Sequence, residues 1–408
     1  MTDQDCRTSQ IPGPKVPALI SLAMLYYPRV KPGRGEPPKY RQIYDALKQS
    51  MSAGEYRARQ KLPTEAELVK TFDTSRVTVN RALRELQLAG LIDRRVGSGS
   101  YVCASTSQDY TFGLLIPDLG RTEIFEPICR GMTEAQVGHQ QVLLWGRSPE
   151  KTDDVETQAR ELCQQWIAKK VAGVFFAPLE LAGEKDRVNE QIAELFLASN
   201  IPVVLLDRDV VPYPERSSYD LVGIDNRRAG YVVTSHLIGA GCKRLIFVGR
   251  HRSAPSCVAR GFGFRDALQD SGVEFRREYL QHQTDPTNED EVRRLISELR
   301  PDGIVCSNDF TAAQLMRTLE RLSVRVPEDV KMVGFDDVKY ASLLSVPLTT
   351  IHQPCADIGA AAIRTMVERV HNPKLPSRDI LLNFGLVVRE SSASSRSRFA
   401  NPESAAVD

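Results

Sequence analysis

The chain of 408 residues is poor in the side chains that hold metals or build disulfide frameworks. It has six histidines and eight cysteines, the cysteines are scattered, and none of them forms a CxxC pair. Disulfide-rich secreted domains and zinc modules need closely and regularly spaced ligands. We therefore expect reduced thiols in a cytoplasmic protein that binds neither a metal nor a cofactor.

Motifs of nucleotide-binding and hydrolytic enzymes are also missing. The glycines near Gly33, Gly97 and Gly261 do not complete GxGxxG between a strand and a helix, and the chain has no P-loop and no GxSxG. The sequence therefore offers no catalytic residues, and we predict that the protein is not an enzyme.

Long apolar runs are absent from the N-terminal region. The stretch from Val16 to Tyr27 is shorter than the roughly 20 residues of a transmembrane helix, and no basic cluster precedes it as in a secretion signal. We expect residues 1–37 to be a disordered extension. A translation start at Met24, much closer to the first predicted helix, stays open.

Net charge is small, at +1, but it is unevenly distributed. Arg29 to Val102 contains 15 basic and 8 acidic residues, which leaves 38 basic and 44 acidic residues of the 53 and 52 in the whole chain. A basic segment beside an acidic remainder is typical of a phosphate-binding head joined to another domain.

Two helices separated by a tight turn are predicted in the basic segment. Thr64 followed by Glu67 is a capping box, so the first helix starts at Thr64 and runs to about Phe72. The second begins at the N-cap Ser75, and its apolar residues repeat at i, i+3, i+4 and i+7 until Gly90 stops it. This order is that of a helix-turn-helix.

The polar face of the second helix carries Arg76, Asn80 and Arg84, spaced four residues apart. They project in one line, and Arg and Asn can make bidentate hydrogen bonds to guanine and adenine in a major groove. Two short strands, Leu91–Arg95 and Ser100–Cys103, are predicted to follow and to form a basic wing. Helix, turn, helix and wing within about forty residues favour nucleic-acid binding over a merely solvated face.

This segment resembles the winged helix-turn-helix of the GntR family of bacterial regulators over residues 38–103. The motifs that carry the resemblance are Tyr40-x-Gln42-Ile43, Leu62-Pro63-Thr64-Glu65, Ser75-Arg76-x-Thr78-Val79 and Gly97-x-Gly99-x-Tyr101-Val102. The commonest family version has Arg in place of Asn80, and Asn occurs there in the HutC-like branch. The predicted DNA-binding residues are Thr64, Glu65, Arg76, Thr78, Asn80, Arg84, Arg94, Arg95, Gly97, Ser98 and Gly99.

From Tyr110 onward, apolar strands alternate with amphipathic helical stretches as far as LTTIHQ. Such alternation predicts parallel sheets covered on both faces, and the number of units predicts two doubly wound lobes. Ligands of such folds bind at the carboxyl ends of the strands. The predicted strands are TFGLLIPD, QVLLWG, AGVFFAP, PVVLLDR, LVGID, RLIFVG, GIVCSN, KMVGFDD and LTTIHQ.

Polar residues follow these strands repeatedly: Asp118, Asp207-Arg208, Asp225-Asn226, Ser307-Asn308-Asp309 and Asp336-Asp337. One such residue alone is more often a helix cap or turn residue than a ligand contact. Their repetition at successive strand ends favours a cleft for a polyhydroxylated ligand, because each hydroxyl needs a donor and an acceptor.

The region from Tyr110 to Ser392 resembles the effector domain of LacI/GalR repressors, itself similar to periplasmic sugar-binding proteins. The matching segments are HLIGAGCKRLIFVGR, ARGFGFRDAL, PDGIVCSNDFTA, VRVPEDVKMVGFDD, PLTTIHQP and LVVRESS. The loop from Leu119 to Glu126 and the insert from Val210 to Tyr219 depart from the family pattern. The effector contacts that the resemblance implies are Phe125, Asp207, Arg208, Asp225, Arg260, Asn308, Asp336 and Gln353.

These observations predict an α+β winged helix-turn-helix head at residues 38–103, a linker at 104–109, and an α/β two-lobed periplasmic-binding-protein-like domain with two doubly wound parallel sheets at 110–390. A disordered tail is predicted at 391–408. The hybrid of a GntR-type head with a LacI/GalR-type domain resembles the arabinose repressors of Gram-positive bacteria.

The predicted function is that of a ligand-responsive regulator, a repressor of carbohydrate-utilisation genes. It would bind double-stranded operator DNA as a homodimer and leave it when a monosaccharide binds. The alternative is a non-regulatory sugar-binding protein or an enzyme on the same two-lobed fold.

Overall fold

A computed structural model describes residues 38–52, 55–56, 59–95, 97–103, 110–116, 123–135, 141–146, 154–281 and 283–393. The predicted extension at 1–37, the linker at 104–109 and residues 394–408 of the tail lie outside these ranges. The described chain forms two compact units, one ending at Cys103 and one starting at Tyr110. None of the described helices combines the length and the apolar character that crossing a bilayer requires.

The first unit is a winged helix-turn-helix. Its core is one apolar cluster that includes Ile43, Leu47, Leu68, Val79 and Leu83, so all three helices contribute to it. The elements are α1 (Lys39–Ser52), α2 (Glu65–Thr71), α3 (Arg76–Leu88), β1 (Ile92–Arg95) and β2 (Gly99–Val102).

Capping and turn chemistry set the boundaries of this unit. The Thr64 N–H donates to Glu67 Oε2 (2.6 Å) and the Glu67 N–H donates to Thr64 Oγ1 (3.3 Å), so the predicted capping box is confirmed, with Thr64 as the N-cap. The wing turn is one residue shorter than predicted, because Gly99 already pairs with Arg95 across the antiparallel ladder. Val96 lies outside the described residues.

The second unit contains two lobes, each built on a six-stranded sheet. The N-terminal lobe has the order β13-β7-β6-β5-β3-β4 with all neighbours parallel, where β13 is the late strand Asp379–Leu382. Its elements are β3 (Tyr110–Leu115), α4 (Phe125–Glu134), β4 (Gln141–Trp145), α5 (Val155–Lys169), β5 (Gly173–Phe176), α6 (Lys185–Ala198), β6 (Val203–Leu206) and β7 (Asp220–Ile224).

The C-terminal lobe has the order β14-β12-β11-β10-β8-β9, and only the edge strand β14 runs antiparallel to its neighbour. Its elements are α7 (Asn226–Gly239), β8 (Leu245–Val248), α8 (Pro255–Asp270), β9 (Leu280–Gln281), α9 (Glu289–Leu299), β10 (Gly303–Cys306), α10 (Asp309–Arg321), β11 (Lys331–Asp336), β12 (Thr349–His352) and β14 (Gly385–Val387). The prediction of two doubly wound lobes is confirmed.

The sequence pattern predicted no helix or strand beyond LTTIHQ, the last predicted strand. The structure adds helix α11 (Cys355–His371) and strand β13 (Asp379–Leu382), which both return to the N-terminal lobe. The chain therefore passes between the lobes three times: after Ile224, after His352 and after Leu382. Ser391 and Ser392, which the sequence prediction gave to the tail, are buried in a final helical turn.

Glycines allow one close helix pair in each lobe. In the N-terminal lobe a side chain at Gly131 of α4 would collide with the Ala356 carbonyl of α11. In the C-terminal lobe a side chain at Gly263 of α8 would collide with the Arg227 carbonyl of α7. The GFGF sequence around Gly261, which is no dinucleotide fingerprint, thus includes a residue that lets two backbones approach.

Candidate DNA-binding surface and ligand cleft

The predicted recognition face of α3 is connected to the rest of the head through one carboxylate. Glu65 Oε2 accepts hydrogen bonds from Arg76 Nε (2.9 Å) and Asn80 Nδ2 (3.3 Å), and Glu65 Oε1 accepts from Arg94 Nη2 (2.8 Å). Glu65 thereby links α2, α3 and β1. Arg84 lies on the same face of α3 and is exposed.

The wing presents small residues and a guanidinium group. Gly97 (φ 74°) and Gly99 (φ 116°) adopt left-handed backbone conformations, and Ser98 between them is exposed. Arg95 donates to Asp93 Oδ2 (3.0 Å) and lies 5.0 Å from the centre of the Tyr101 ring. A bare, exposed backbone beside an arginine can approach a phosphate closely.

Two of the predicted DNA-binding residues have roles in capping. Thr64 caps α2, and the Thr78 hydroxyl lies 2.8 Å from the hydroxyl of Ser75, the residue that caps α3. Both caps fix where the helices begin, and therefore where Arg76 stands.

In the second unit, polar residues that follow strands of both lobes gather in one cleft, and most of those that line it are buried. Asp207 and Arg208 follow β6 of the N-terminal lobe, with 5% and 6% of their surfaces exposed. Arg260 of α8 is 3% exposed, Asp336 ends β11, and Gln353 follows β12 with 1% exposed. Buried charges are costly unless they are paired or serve a ligand.

The N-terminal side of the cleft is organised by Arg208. Its Nη1 donates to Glu180 Oε1 (2.7 Å), its Nε donates to the Pro178 carbonyl (2.9 Å), and its guanidinium lies 5.4 Å from the centre of the Phe125 ring. Burial acts to raise the pKa of Glu180, but Arg208 outweighs it and the pKa is lowered. Glu180 was not among the predicted effector contacts, and its only signal in the sequence is its place just beyond strand β5.

The C-terminal side is organised by Arg260. Its Nε donates to Asn226 Oδ1 (2.8 Å), its Nη1 donates to the Ser307 carbonyl (2.7 Å), and its Nη2 lies 3.5 Å from Asp336 Oδ1. The guanidinium also covers the Phe335 ring at 4.6 Å.

The two sides meet directly. Ser256 of α8 donates to Asp207 Oδ2 (3.4 Å), and the Ala254 N–H donates to Glu180 Oε2 (3.2 Å). The insert from Val210 to Tyr219 reaches across as well, because the Tyr213 ring lies 5.4 Å from the Phe262 ring of α8. Residues of both lobes therefore line one cleft.

Two acceptor oxygens in this cleft are buried without a donor among the described residues, Asp207 Oδ1 and Gln353 Oε1. Gln353 uses its Nε2 to donate to Asp336 Oδ1 (2.8 Å). Asp207 (φ 67°) and Asp336 (φ 110°) both hold left-handed backbone conformations, which are costly for residues other than glycine and cluster at ligand sites.

Two carboxyl groups of the C-terminal lobe hold protons more tightly than usual. Burial raises the pKa of Asp336 to about 6, with Arg260 opposing the rise and Asp207 adding to it. Burial, followed by the charge of Asp336, raises the pKa of Asp309 well above its ordinary value. Asp309 accepts from the Thr350 hydroxyl (2.6 Å).

Asp225 and Asn308, also predicted as effector contacts, cap helices. Asp225 Oδ1 accepts from the Arg228 N–H (2.9 Å) at the start of α7, and Asn308 Oδ1 accepts from the Thr311 N–H (2.9 Å) at the start of α10. Each has one side-chain oxygen committed to the backbone. Asp118 lies outside the described residues.

Each of the two units contains a segment that matches a known protein family or domain. Residues 39–102 match the family of bacterial regulatory proteins called gntR, and residues 234–392 match the periplasmic binding protein-like domain. The arabinose metabolism transcriptional repressor of Geobacillus stearothermophilus is 27% identical over 368 residues, which cover 87% of this chain and 97% of that protein.

Two further matches cover a smaller share of the chain. The transcriptional repressor PurR of Photobacterium profundum is 31% identical over 196 residues, 47% of this chain and 58% of that protein. The crystal structure of a LacI family regulator from Enterococcus faecium with bound ribose has a TM-score of 0.54 at 22% identity, covering 69% of this chain and 98% of that one. The chain is therefore a transcriptional regulator that joins a gntR-family winged helix-turn-helix to a periplasmic binding protein-like domain.

Proposed function

We propose that this regulator represses carbohydrate-utilisation genes and releases its operator when a small sugar binds in the cleft. The observation that carries the proposal is the pair of buried acceptors, Asp207 Oδ1 and Gln353 Oε1, without a donor among the described residues. Arg208 and Arg260 offer donors in the same cleft. A ligand rich in hydroxyls can donate hydrogen bonds to the two acceptor oxygens and accept hydrogen bonds from the two arginines.

The ligand that fits best is a neutral monosaccharide, arabinose or a related pentose. The Phe125 and Phe335 rings are buried beneath guanidinium groups and do not offer the broad bare surface that a nucleobase stacks on. The match to an arabinose metabolism repressor along nearly its whole length supports the same ligand class.

The effector contacts of this proposal come from both lobes. Asp207, Arg208 and Phe125 belong to the N-terminal side, and Arg260, Asp336 and Gln353 to the C-terminal side. The caps Asp225 and Asn308 would contact the sugar only through atoms that capping leaves free. A ligand held from both sides favours closure of the lobes. By linkage, a sugar that weakens operator binding must bind the protein–operator complex less tightly than it binds the free protein.

The head binds the operator in two ways in this proposal. Arg76, Asn80 and Arg84 read base edges in the major groove, while the wing contacts the DNA backbone. Glu65 acts on the DNA indirectly, by orienting Arg76 and Arg94. The residues that would contact phosphates or the minor groove are Thr64, Thr78, Arg94, Arg95, Gly97, Ser98 and Gly99.

A homodimer in the bacterial cytoplasm completes the proposal. One winged head covers only a half-site, so two heads on a near-palindromic operator are needed for the affinity of a specific regulator. The compartment follows from the need to reach DNA.

A gel shift with DNA from upstream of the gene's own operon, combined with a calorimetric screen of pentoses, hexoses and sugar phosphates, tests this function. Specific binding that one of the sugars reverses is expected. Sugar binding without any DNA shift would instead support a non-regulatory binding protein. A nucleobase ligand would overturn the sugar assignment and leave DNA binding intact.

A further inference from the structure

Among the described residues of the head, two large apolar side chains are mostly exposed, Val77 (79%) and Leu88 (78%), and both lie on α3. Single exposed apolar residues are common on proteins, so exposure alone assigns neither of them a role. Their positions on the helix differ: Val77 follows the first residue, and Leu88 is the last.

Val77 lies on the side of the helix opposite its buried stripe. The buried stripe of α3 consists of Val79, Ala82, Leu83 and Leu86. With 3.6 residues per turn, Val77 points about 170° away from the middle of that stripe. Arg84 points about 150° away and Arg76 about 70°, so Val77 points more directly away from the core than either of these two arginines.

The neighbours of Val77 are suited to base edges. Arg76 is held by Glu65 at 2.9 Å and Asn80 donates to the same carboxylate, so the groups beside Val77 are oriented by the fold. In the major groove, the apolar feature that distinguishes one natural base pair from another is the C5-methyl group of thymine. A β-branched side chain carrying two methyl groups matches that feature and offers no hydrogen bond to any base.

We propose that Val77 contacts the C5-methyl group of a thymine in each operator half-site, next to bases read by the neighbouring polar residues. The inference rests on the proposed operator binding and adds one element of sequence specificity to it. The thymine is recognised by desolvation of its methyl group, not by a hydrogen bond. Deoxyuridine lacks only that methyl group. Replacing the thymine with deoxyuridine should weaken binding about fourfold, because one methyl group is no longer buried in the complex.

The test begins with full-length protein and selection of duplexes from a random library. If no sequence is enriched, operator binding itself fails, and this inference falls with it. If an operator emerges, each thymine of one half-site is replaced in turn by deoxyuridine, and affinity is measured at a fixed salt concentration. The wild type should lose about fourfold at one position.

The variant Val77→Ala should lose that discrimination, binding the thymine and deoxyuridine operators equally, while Leu88→Ala keeps the wild-type pattern. Leu88 is a matched control because it is equally exposed and lies about 16 Å further along the same helix. Both replaced side chains are exposed, and unchanged thermal unfolding verifies that the fold is intact. An enriched operator with no deoxyuridine-sensitive position, or the same sensitivity in Val77→Ala, would overturn the inference and leave operator binding standing.

Discussion

The carboxylate of Glu65 holds the guanidinium group of Arg76 at 2.9 Å, joining the two helices of the helix-turn-helix by a charged hydrogen bond. The Arg76 side chain is 79% exposed, so this ion pair adds little to stability. Its consequence is orientation: an exposed arginine at the start of α3 has fewer conformations to lose when DNA binds.

Replacing Arg76 with alanine should weaken specific operator binding by roughly 1–3 kcal/mol, the scale of one lost base contact. The unfolding temperature should barely change, because the side chain is exposed. A salt-matched titration with operator DNA measures the effect, and Arg41→Ala on α1 provides an exposed control. Wild-type affinity in Arg76→Ala would show that α3 is not the recognition helix.

Replacing Glu65 with glutamine tests whether this carboxylate orients the DNA-reading groups. The change leaves one acceptor oxygen for Arg76, Asn80 and Arg94 and removes a negative charge, so specific binding should weaken while binding to unrelated DNA strengthens. We expect the ratio of the two affinities to fall by roughly tenfold. Competition titrations with operator and random duplexes measure this ratio. If it stays at the wild-type value, the Glu65 contacts do not position the DNA-reading groups.

Replacing Asp336 or Arg260 with alanine should produce a repressor that binds its operator but is not released by sugar. Both groups belong to the cleft and neither belongs to the head. Arg260 also donates to Asn226 and Ser307, so thermal unfolding must show that the variant is folded.

Fluorescence anisotropy of labelled operator, titrated with the sugar that releases the wild type, measures induction in these variants. Arg265→Ala is the control, since it lies on α8 like Arg260 but is substantially exposed. Release of either cleft variant at wild-type sugar concentrations would place the effector elsewhere.

Because the pKa of Asp336 is raised to about 6, we expect the stability of the protein to depend on pH. The folded protein binds this proton more tightly than the unfolded chain, so the associated stability is present below pH 4 and is lost as the pH rises to about 6. The side chain of Asp336→Asn cannot ionise. Between pH 4 and pH 7 the free energy of unfolding of this variant should therefore rise, relative to that of the wild type, by on the order of 2 kcal/mol.

Parallel denaturant titrations of both proteins across this pH range give the difference directly. Arg260, Asp207, Glu180 and Asp309 surround the group. Because the charge of Asp336 contributes to the raised pKa of Asp309, the measured difference belongs to these two carboxyl groups together. A difference in unfolding free energy that does not vary with pH would mean that Asp336 is ionised throughout.

The protein should be a homodimer at micromolar concentration and should bind one operator duplex per dimer. Two heads are then available for two half-sites on one face of the DNA. Light scattering on the free protein and on the complex gives both masses. A monomer under both conditions contradicts the expectation.

The winged head was predictable from sequence because its signals are local. The capping box at Thr64, the N-cap Ser75 and the apolar spacing of α3 each act over a few residues, and all three are present in the structure. The role of Glu65 was not predictable in this way, because its partner Arg94 lies 29 residues away and pairs with it only once the head has folded.

The cleft was predictable in outline and not in detail. Strand ends revealed Asp207, Arg208 and Asp336, but the same signal also selected Asp225 and Asn308, whose caps use one side-chain oxygen each. Glu180 was missed because a lone acid after a strand looks like an ordinary loop residue. Its meaning comes from Arg208 and the Ala254 N–H, which the fold brings to it from distant segments.

Because the chain passes between the lobes three times, the N-terminal lobe is completed only late in synthesis. Strand β13 pairs with β7 at the edge of the N-terminal sheet, yet 154 residues separate the last residue of β7 from the first of β13 on the chain, as Ile224 and Asp379 mark. The ribosome therefore completes β8 to β12 before it releases the strand that finishes the first lobe. During translation that lobe exposes an unpaired edge at β7, so a chaperone that covers sheet edges, or a pause late in the message, would affect the yield of this regulator more than its final stability.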